Sequence, residues 1–318
     1  MEDNQKIVFL FSGQGSQYRG MGIKLFKRNL IFKNSLEKSD LIVKKHLNRS
    51  LIDELYTEKN EVFDDLLITH PAIVAVEIAM YNVIKEMNVK PDFVAGNSLG
   101  EFTAAVVKGI WSEEMAIEAS IEQAKSIVRN DSKGGMLVVL NQKRKEVEKL
   151  YHQHELTLAS DNFDGHFTLS GSVKNLDSFQ SELDRQGVEF VRLAVNYPFH
   201  SSLIEGGRYG FEYYSESIPA FSNPKSGFIS GLECDELLVI PKNYFWDVVS
   251  KYNDFSKMVK YIENKGTCLY IDLGPSGTSA TFVNYNLGPL SNSKTFQIMS
   301  PFKREERQLK ALEELLFL

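Results

Sequence analysis

Residues 92–107 place the strongest constraint on how this 318-residue chain can fold. Residues 92–95 form a short run typical of a buried strand, Gly96 interrupts it, and residues 101–107 are rich in helix formers. A second apolar run at residues 7–11 ends in the same manner at Ser12-Gly13. Short buried strands that end in glycine turns and alternate with helices predict an α/β fold.

Residues 135–196 show a different pattern. Strands are predicted at 136–140, 156–159, 166–170 and 188–195, and helices at 143–152 and 176–186. The order βαββαβ is that of a ferredoxin-like unit of about 60 residues. We therefore predict a large α/β body formed by residues 1–134 and 197–318, with a ferredoxin-like small subdomain at residues 135–196 inserted into it.

Further segments extend the large body. Residues 71–87 carry apolar side chains at helical spacing, and strands are predicted at 269–273 and 295–299. Residues 305–316 predict an amphipathic helix that we expect to be structural.

Composition excludes several classes of function. The chain has 36 Lys and Arg against 42 Asp and Glu, a net charge of −6, so it offers no overall basic field for nucleic acid or for an anionic membrane. Apolar runs such as residues 7–11 are far shorter than the roughly 20 residues that span a bilayer, and residues 1–5 lack the basic start of a signal peptide. We expect a cytoplasmic protein. Cys234 and Cys268 lack CxxC spacing, so we expect them to be buried thiols.

Gly96-Asn97-Ser98-Leu99-Gly100 is the most specific chemical signal. It has the GxSxG pattern, and it lies between a predicted strand and a predicted helix. In that setting small residues relieve a crowded turn, and the Ser98 hydroxyl projects beside a helix N-terminus whose amides can stabilise an oxyanion. The alternative is a serine that only caps the helix. We predict that Ser98 is a nucleophile.

A serine nucleophile requires a base, and the chain has six histidines. His200 follows Tyr197-Pro198-Phe199 where the chain leaves the predicted subdomain, so it is the best candidate, with a buried core histidine as the alternative. His70 precedes Pro71 and is expected to help begin a helix. His166 is expected on an inner strand. His152 and His154 lack a third ligand, and no metal site is expected.

Gly13-Gln14-Gly15-Ser16-Gln17 follows the first strand, at the edge of an α/β sheet where ligands bind. Tyr18 occupies the third glycine position of a dinucleotide fingerprint, and the Gly-Lys-Ser/Thr of a P-loop is missing. We expect a flexible polar loop whose Gln14 amide donates hydrogen bonds into the cleft.

Four motifs together resemble the malonyl-CoA:acyl carrier protein transacylase family. They are FLFSGQGSQYRGMG at 9–22, GNSLGEFTAA at 96–105, YPFHSSL at 197–203 and IDLGPSG at 271–277. The resemblance spans nearly the whole chain. It implies an α/β-hydrolase-like large subdomain, with Ser98 as nucleophile and His200, oriented by a main-chain carbonyl, as general base and acid. It also implies an oxyanion hole formed by the backbone amides of Gln14 and Leu99.

Two positions depart from the family pattern. Asn97 replaces the usual histidine before the serine, which leaves the nucleophile in place. Malonyl-specific members carry an arginine about 25 residues after the serine, where it holds the substrate carboxylate, and here Gln123 occupies that position. A shift of helical register cannot supply the cation, because Lys125 and Arg129 lie about 200° and 240° away around a helix. No arginine occurs between Arg49 and Arg129.

An arginine-to-glutamine change of this kind is associated, within the larger family, with acyl hydrolases of trans-acyltransferase polyketide synthases, which proofread carrier proteins. The resemblance therefore implies a thioesterase that removes neutral acyl groups from an acyl carrier protein. We expect Gln123, Asn97 and Phe199 to contact the substrate. No cofactor is expected beyond the phosphopantetheine of the carrier protein, and a monomer is the simplest expectation. The alternatives are a malonyl or acyl transacylase that acts in trans, and a carrier-protein docking subunit without turnover.

Overall fold

A computed structural model describes residues 5–218 and 222–317. Residues 1–4, part of the N-terminal segment that is expected to lack a signal-peptide start, lie outside the described residues. The strands are β1 Lys6–Phe11, β2 Phe93–Gly96, β3 Gly135–Leu140, β4 Thr157–Phe163, β5 His166–Gly171, β6 Phe190–Arg192, β7 Phe228–Ile229, β8 Asn253–Asp254, β9 Cys268–Asp272 and β10 Lys294–Gln297.

The helices alternate with these strands along most of the chain. They are α1 Ile23–Arg28, α2 Leu30–Leu47, α3 Leu51–Tyr56, α4 Leu66–Glu86, α5 Gly100–Val107, α6 Glu113–Arg129, α7 Arg144–Gln153, α8 Val173–Gln186, α9 Arg208–Ser217, α10 Tyr244–Ser250, α11 Phe255–Glu263, α12 Thr278–Asn286 and α13 Glu305–Phe317, with a 3₁₀ helix at Ser202–Gly207.

A parallel sheet with the order β10-β9-β1-β2-β7 forms the body. Its central strand β1 is buried on both faces: Phe9 and Phe11 pack into one hydrophobic cluster, and Val8 and Leu10 pack into another. Because neighbouring side chains on a strand point to opposite faces, a continuous apolar run packs against the helices on both faces of the sheet. The predicted α/β architecture is confirmed, and the structure adds that the strands of this sheet are parallel.

The second sheet has the order β6-β3-β5-β4-β8. Strands β3 to β6 pair antiparallel, with α7 and α8 connecting them in the βαββαβ order, so the ferredoxin-like unit is confirmed. Strand β8 pairs parallel to β4, and it comes from the chain well beyond residue 196. The division at residues 135–196 stays a prediction, and this sheet also includes a strand from outside it.

Helix α4 runs through the core of the body. It begins at Leu66, where the Asp65 side chain accepts a hydrogen bond from Leu67 N, and Pro71 lies inside it. The expectation that His70 helps begin a helix is therefore wrong, because Asp65 provides the cap one turn earlier. By length and composition α4 is apolar enough to span a membrane, but 83% of its apolar window is buried within the protein. Packing against neighbouring helices explains its apolar character. Both Cys234 and Cys268 are buried, as predicted.

Candidate active site

Ser98 lies in the sharp turn between β2 and α5. Its backbone has a φ of 55°, a left-handed conformation that is uncommon for a residue with a side chain. Leu99, the next residue, is the N-cap of α5. The turn thus places the Ser98 hydroxyl at a helix N-terminus, where backbone N–H groups favour negative charge.

Three glycines allow this turn to pack closely. A Cβ at Gly96 would overlap Glu101 N, and a Cβ at Gly100 would overlap Phe11 O. A Cβ at Gly13, in the loop after β1, would lie 2.6 Å from Asn97 O. The glycines of the GxSxG pattern are therefore required by close backbone approach, which is the feature expected of a nucleophile-bearing turn.

His200 is also held by its backbone. It has a φ of 56°, and its N–H donates to Val249 O at 2.9 Å. Its Nδ1 lies 2.6 Å from Lys251 O. A carbonyl oxygen only accepts, so Nδ1 carries the proton and Nε2 keeps a lone pair. Burial lowers the pKa of His200 to about 4, so the imidazole is neutral at pH 7 and available as a base.

Ser98 and His200 line the same cavity, which has a volume of about 300 Å³ and lies between the two sheets. In the described part of the chain no hydrogen bond joins the two side chains, and catalytic hydrogen bonds often tighten only in the complex with substrate. On the second sheet Met136, Val138 and Leu140 form an apolar wall, because alternate residues of β3 face the same side. Polar groups line the neighbouring strands: Ser160, Asn162, His166 and Thr168.

The oxyanion-hole candidates lie at the two loops that border Ser98. Gln14 follows β1 and lines the cavity, and Leu99 begins α5. Within residues 5–218 and 222–317, neither backbone N–H donates to another main-chain group, so both are available to a ligand. The Gln14 side-chain amide, in contrast, contacts Thr69 Oγ1 at 2.8 Å and His70 Nδ1 at 3.1 Å. The expectation of a side-chain amide directed into the cleft is wrong, and the loop is held by hydrogen bonds.

Gln123 is fully buried in α6 and lies outside the cavity lining. Its Nε2 donates to Phe245 O at 2.6 Å, and its Oε1 lies 3.2 Å from His70 Nε2. The predicted direct contact between Gln123 and the substrate is therefore not seen, because protein groups occupy both ends of its amide. Gln123 is joined to the cavity through His70 and Gln14.

Residues 8–238 match the family model described as an acyl transferase domain. The chain belongs to the acyltransferase family. It is 36% identical over 315 residues to "Polyketide biosynthesis acyltransferase homolog PksD" of Bacillus subtilis, with 98% of this chain and 96% of the relative covered. It is 33% identical over 315 residues to the homolog BaeD of Bacillus velezensis, with 98% and 97% covered.

Solved acyltransferase structures share the fold. The acyltransferase domain from the second module of the salinomycin polyketide synthase is similar with a TM-score of 0.85 at 25% identity, and 98% of this chain and 73% of that one are covered. MCAT from Streptococcus pneumoniae is similar with a TM-score of 0.80 at 24% identity, and 98% of this chain and 100% of that one are covered. The two-sheet architecture around Ser98 is thus that of the acyltransferase family.

Two further predicted contact residues border the cavity of this acyltransferase-family chain. Asn97 lines it, and its Oδ1 accepts a hydrogen bond from Asn253 Nδ2, which joins the turn that carries Ser98 to β8. Phe199 lines it beside His200 and stacks on His70 with the ring centroids 5.7 Å apart. Both residues line the cavity, and their contact with a substrate stays a prediction.

Sequence reasoning missed His70. It is completely buried in α4, and it contacts residues on both sides of the site: Gln14 in the loop after β1 and Phe199 next to His200. The available signal was Asp65 followed by the apolar residues Leu66 to Ile68, which marks a capped helix that starts before Pro71.

Proposed function

We propose that the chain is an acyl hydrolase of polyketide biosynthesis, which removes neutral acyl groups from acyl carrier proteins through an acyl-Ser98 intermediate. The observation that carries the proposal is the lack of a cation at the cavity. Its described lining includes no Lys or Arg, and Gln123, at the position of the family arginine, is buried with its amide engaged.

The proposed reaction begins with attack on the thioester. His200 Nε2 takes the proton of Ser98, and Oγ bonds to the carbonyl carbon. The oxyanion is stabilised by the backbone N–H groups of Gln14 and Leu99. The C–S bond then breaks, the thiol leaves with the proton from Nε2, and Ser98 carries the acyl group.

Water completes the proposed cycle. His200 Nε2 takes one proton from water, whose oxygen bonds to the acyl-Ser98 carbonyl carbon. The second tetrahedral intermediate collapses, the proton returns to Ser98 Oγ, and a free carboxylic acid departs. The hydrogen bond from Nδ1 to Lys251 O stabilises the imidazolium that forms transiently in each half.

The charge of the acyl group decides which substrates this site accepts. A malonyl carboxylate that enters the cavity would lose hydration without gaining an ion pair, at a cost of several kcal/mol and therefore some orders of magnitude in selectivity. An acetyl or butyryl group carries no such charge, and the apolar wall of Met136, Val138 and Leu140 offers it favourable contact. Neutral acyl groups are the proposed substrates.

The proposed partner follows from the family and from the names of its relatives. PksD and BaeD are both named as polyketide biosynthesis acyltransferase homologs. A carrier protein would present the acyl group on phosphopantetheine, and the chain would need no cofactor of its own. We place the reaction in the cytoplasm, with the enzyme acting as a monomer.

A transacylase is the competing function, and the names of the relatives favour it. It would form the same acyl-Ser98 and pass the acyl group to a second thiol instead of water. The two functions share Ser98, His200, Gln14 and Leu99, so only the acceptor and the acyl preference distinguish them.

The test uses carrier proteins loaded with acetyl, butyryl or malonyl groups and follows each by intact-protein mass spectrometry. We expect the enzyme to deacylate the acetyl and butyryl forms at least about 100-fold faster than the malonyl form. The Ser98→Ala variant should deacylate none of them above background. A malonyl carrier protein cleared as fast as the acetyl form would refute the proposal, because the site would then accept a carboxylate without an arginine at position 123.

A further inference from the structure

His70 joins the two halves of the candidate active site. Its Nδ1 lies 3.1 Å from Gln14 Oε1, and its Nε2 lies 3.2 Å from Gln123 Oε1. Its ring stacks on Phe199, the neighbour of His200, with an angle of 15° between the rings. One fully buried side chain therefore contacts three parts of the site. They are the loop after β1 that carries Gln14 (the oxyanion loop), helix α6, and the segment that carries Phe199 and His200.

The partner of Gln123 fixes the orientation of its amide. Nε2 of Gln123 donates to Phe245 O at 2.6 Å, and a main-chain carbonyl can only accept. Oε1 must then face His70. Since Oε1 is an acceptor, His70 has to carry a proton on Nε2.

The ring has only one proton to share. Burial lowers the pKa of His70 to about 4, so it is neutral at pH 7. With the proton on Nε2, Nδ1 becomes an acceptor and requires a donor from Gln14. The amide of Gln14 can meet this need by turning over, so that Nε2 donates to Nδ1 and Oε1 accepts from the Thr69 hydroxyl, which rotates freely.

We propose that His70 is a positioning residue whose Nε2–H tautomer, set by Gln123, orients Gln14 and supports Phe199 for formation of the acyl-enzyme. The inference rests on the proposed catalytic roles of Ser98, His200 and the Gln14 amide. It does not depend on whether water or a thiol accepts the acyl group. A displacement of Gln14 or Phe199 by about 1 Å is enough to lower a reaction rate by about 100-fold.

The same chain of hydrogen bonds gives residue 123 a second role. An arginine there has donors only, so it would donate to Phe245 O and to His70 Nε2. The proton of His70 would then move to Nδ1, and Gln14 would have to present Oε1 to it. The side chain at position 123 thereby determines the hydrogen-bond direction at the oxyanion loop, in addition to any effect on the charge of the cavity.

The tautomer is tested without substrate, by ¹⁵N NMR of the protein labelled at histidine, with His70 assigned from the signal that the His70→Gln variant loses. We expect a neutral ring protonated at Nε2 at pH 7, and protonation at Nδ1 in the Gln123→Arg variant. A wild-type ring that is protonated at Nδ1 or at both nitrogens would overturn the inference, and so would an unchanged tautomer in folded Gln123→Arg.

The effect on the reaction is tested by the rate at which acyl-Ser98 forms from an acyl thioester. His70→Leu removes both hydrogen bonds, and we expect the maximal acylation rate to fall by about 10- to 100-fold with a smaller change in KM. His70→Gln keeps a donor and an acceptor and should recover most of the rate. His46→Gln, the same exchange at a histidine that binds Glu118, is the control and should acylate normally.

Equal acylation by wild type and His70→Leu would contradict the inference, as would equal losses in the Leu and Gln variants. The acylation rate and the tautomer test the role of His70 independently of the proposed hydrolase function. If the enzyme proves to be a transacylase, acylation and the tautomer are unaffected, because both precede the choice of acceptor.

Discussion

Ser98 and His200 both occupy left-handed backbone conformations, with φ values of 55° and 56°. For a residue with a Cβ this conformation costs on the order of 1 kcal/mol, and the surrounding contacts must compensate for it. At His200 they include the hydrogen bonds to Val249 O and Lys251 O. The backbone thus holds both side chains at the cavity before a substrate arrives.

The depressed pKa of His200 predicts an unusual acid limit for the reaction. An ordinary histidine loses its basic lone pair as the pH falls through about 6.5, whereas His200, with a pKa of about 4, stays neutral well below that pH. We expect kcat/KM for acylation to remain level from pH 7 to about pH 5 and then to fall. The measurement is a pH–rate profile with a neutral acyl thioester.

Protein stability has to be followed across the same pH range. Both His70 and His200 have a pKa lowered from 6.5 to about 4. Between about pH 6.5 and pH 4 both histidines therefore stay neutral in the folded state, whereas they are protonated in the unfolded state. Their contribution to stability is therefore full above about pH 6.5 and declines as the pH falls toward 4. If the acylation rate of folded protein falls with a midpoint near pH 6.5, the pKa of His200 is not lowered to about 4.

At the scale of elements, the turn between β2 and α5 is packed against the loop that follows β1. Gly13 lies so close to Asn97 O that a Cβ would approach it to 2.6 Å, and the same Cβ would be 3.1 Å from Ser98 Cβ. The two loops that flank the candidate oxyanion hole are therefore in direct contact, and a change in one is transmitted to the other.

Gly13→Ala tests this contact. We expect the unfolding free energy to fall by about 1–3 kcal/mol, as for overpacking in a core, and acylation of Ser98 to slow. Gly288→Ala is the matched control, because no atom lies within 4 Å of a Cβ there and the variant should be within about 0.5 kcal/mol of wild type. Denaturant unfolding of both variants gives the comparison. A Gly13→Ala protein of wild-type stability and rate would contradict the close packing.

The sequence predicts most of the regular elements and fewer of the contacts. Apolar runs and their glycine ends locate β1, β2 and β9, since these patterns depend on local chain geometry. Strand β8 has only two residues and becomes a strand through pairing with β4, so periodicity cannot detect it. The start of α4 was misplaced because proline favours the first turn of a helix, whereas Asp65 caps it earlier.

The candidate site shows the same contrast between side chains that motifs predict and contacts that they do not predict. Ser98, Asn97, Phe199 and His200 were predicted from motifs, and all of them line one cavity. The resemblance implies that a main-chain carbonyl orients His200, but it does not identify Lys251, because a main-chain carbonyl has no side-chain signature. Likewise, nothing in the local sequence shows that Gln123 uses its amide to bind Phe245 O and His70, because those partners lie far along the chain.

For the whole molecule, the cavity lined by Ser98 and His200 lies where the parallel sheet meets the ferredoxin-like sheet. Strand β8 pairs with β4, and Asn253 in β8 donates to Asn97 next to Ser98. The second sheet is thereby joined to the turn that carries Ser98. The body beneath it contains buried acids, among them Glu101, whose Oε1 accepts a hydrogen bond from Gly231 N at 2.5 Å.

Glu101 predicts how the stability of the whole protein depends on pH. Burial raises its pKa from 4.5 to about 8, so the folded state keeps a proton that the unfolded chain releases above pH 4.5. Its contribution to stability is full below about pH 4.5 and is lost as the pH rises to about 8. When the pH rises from 6.5 to 8, we expect the unfolding free energy of wild type to fall by on the order of 1 kcal/mol more than that of Glu101→Gln.

Denaturant unfolding of the two proteins at several pH values measures this difference. Glu77, another buried acid with a raised pKa, is present in both proteins, so its effect cancels in the comparison. Parallel stability curves for wild type and Glu101→Gln would show that Glu101 is already ionised in the folded protein.

The fate of the acyl group on Ser98 distinguishes hydrolysis from transfer. Acetyl-loaded carrier protein is mixed with the enzyme and an excess of unloaded carrier protein in H₂¹⁸O, and both carrier proteins and the released acid are followed by mass spectrometry. We predict free acetate with one ¹⁸O atom, with little acetyl on the second carrier protein. Rapid loading of the second carrier protein, without labelled acetate, would contradict the account and establish a transacylase.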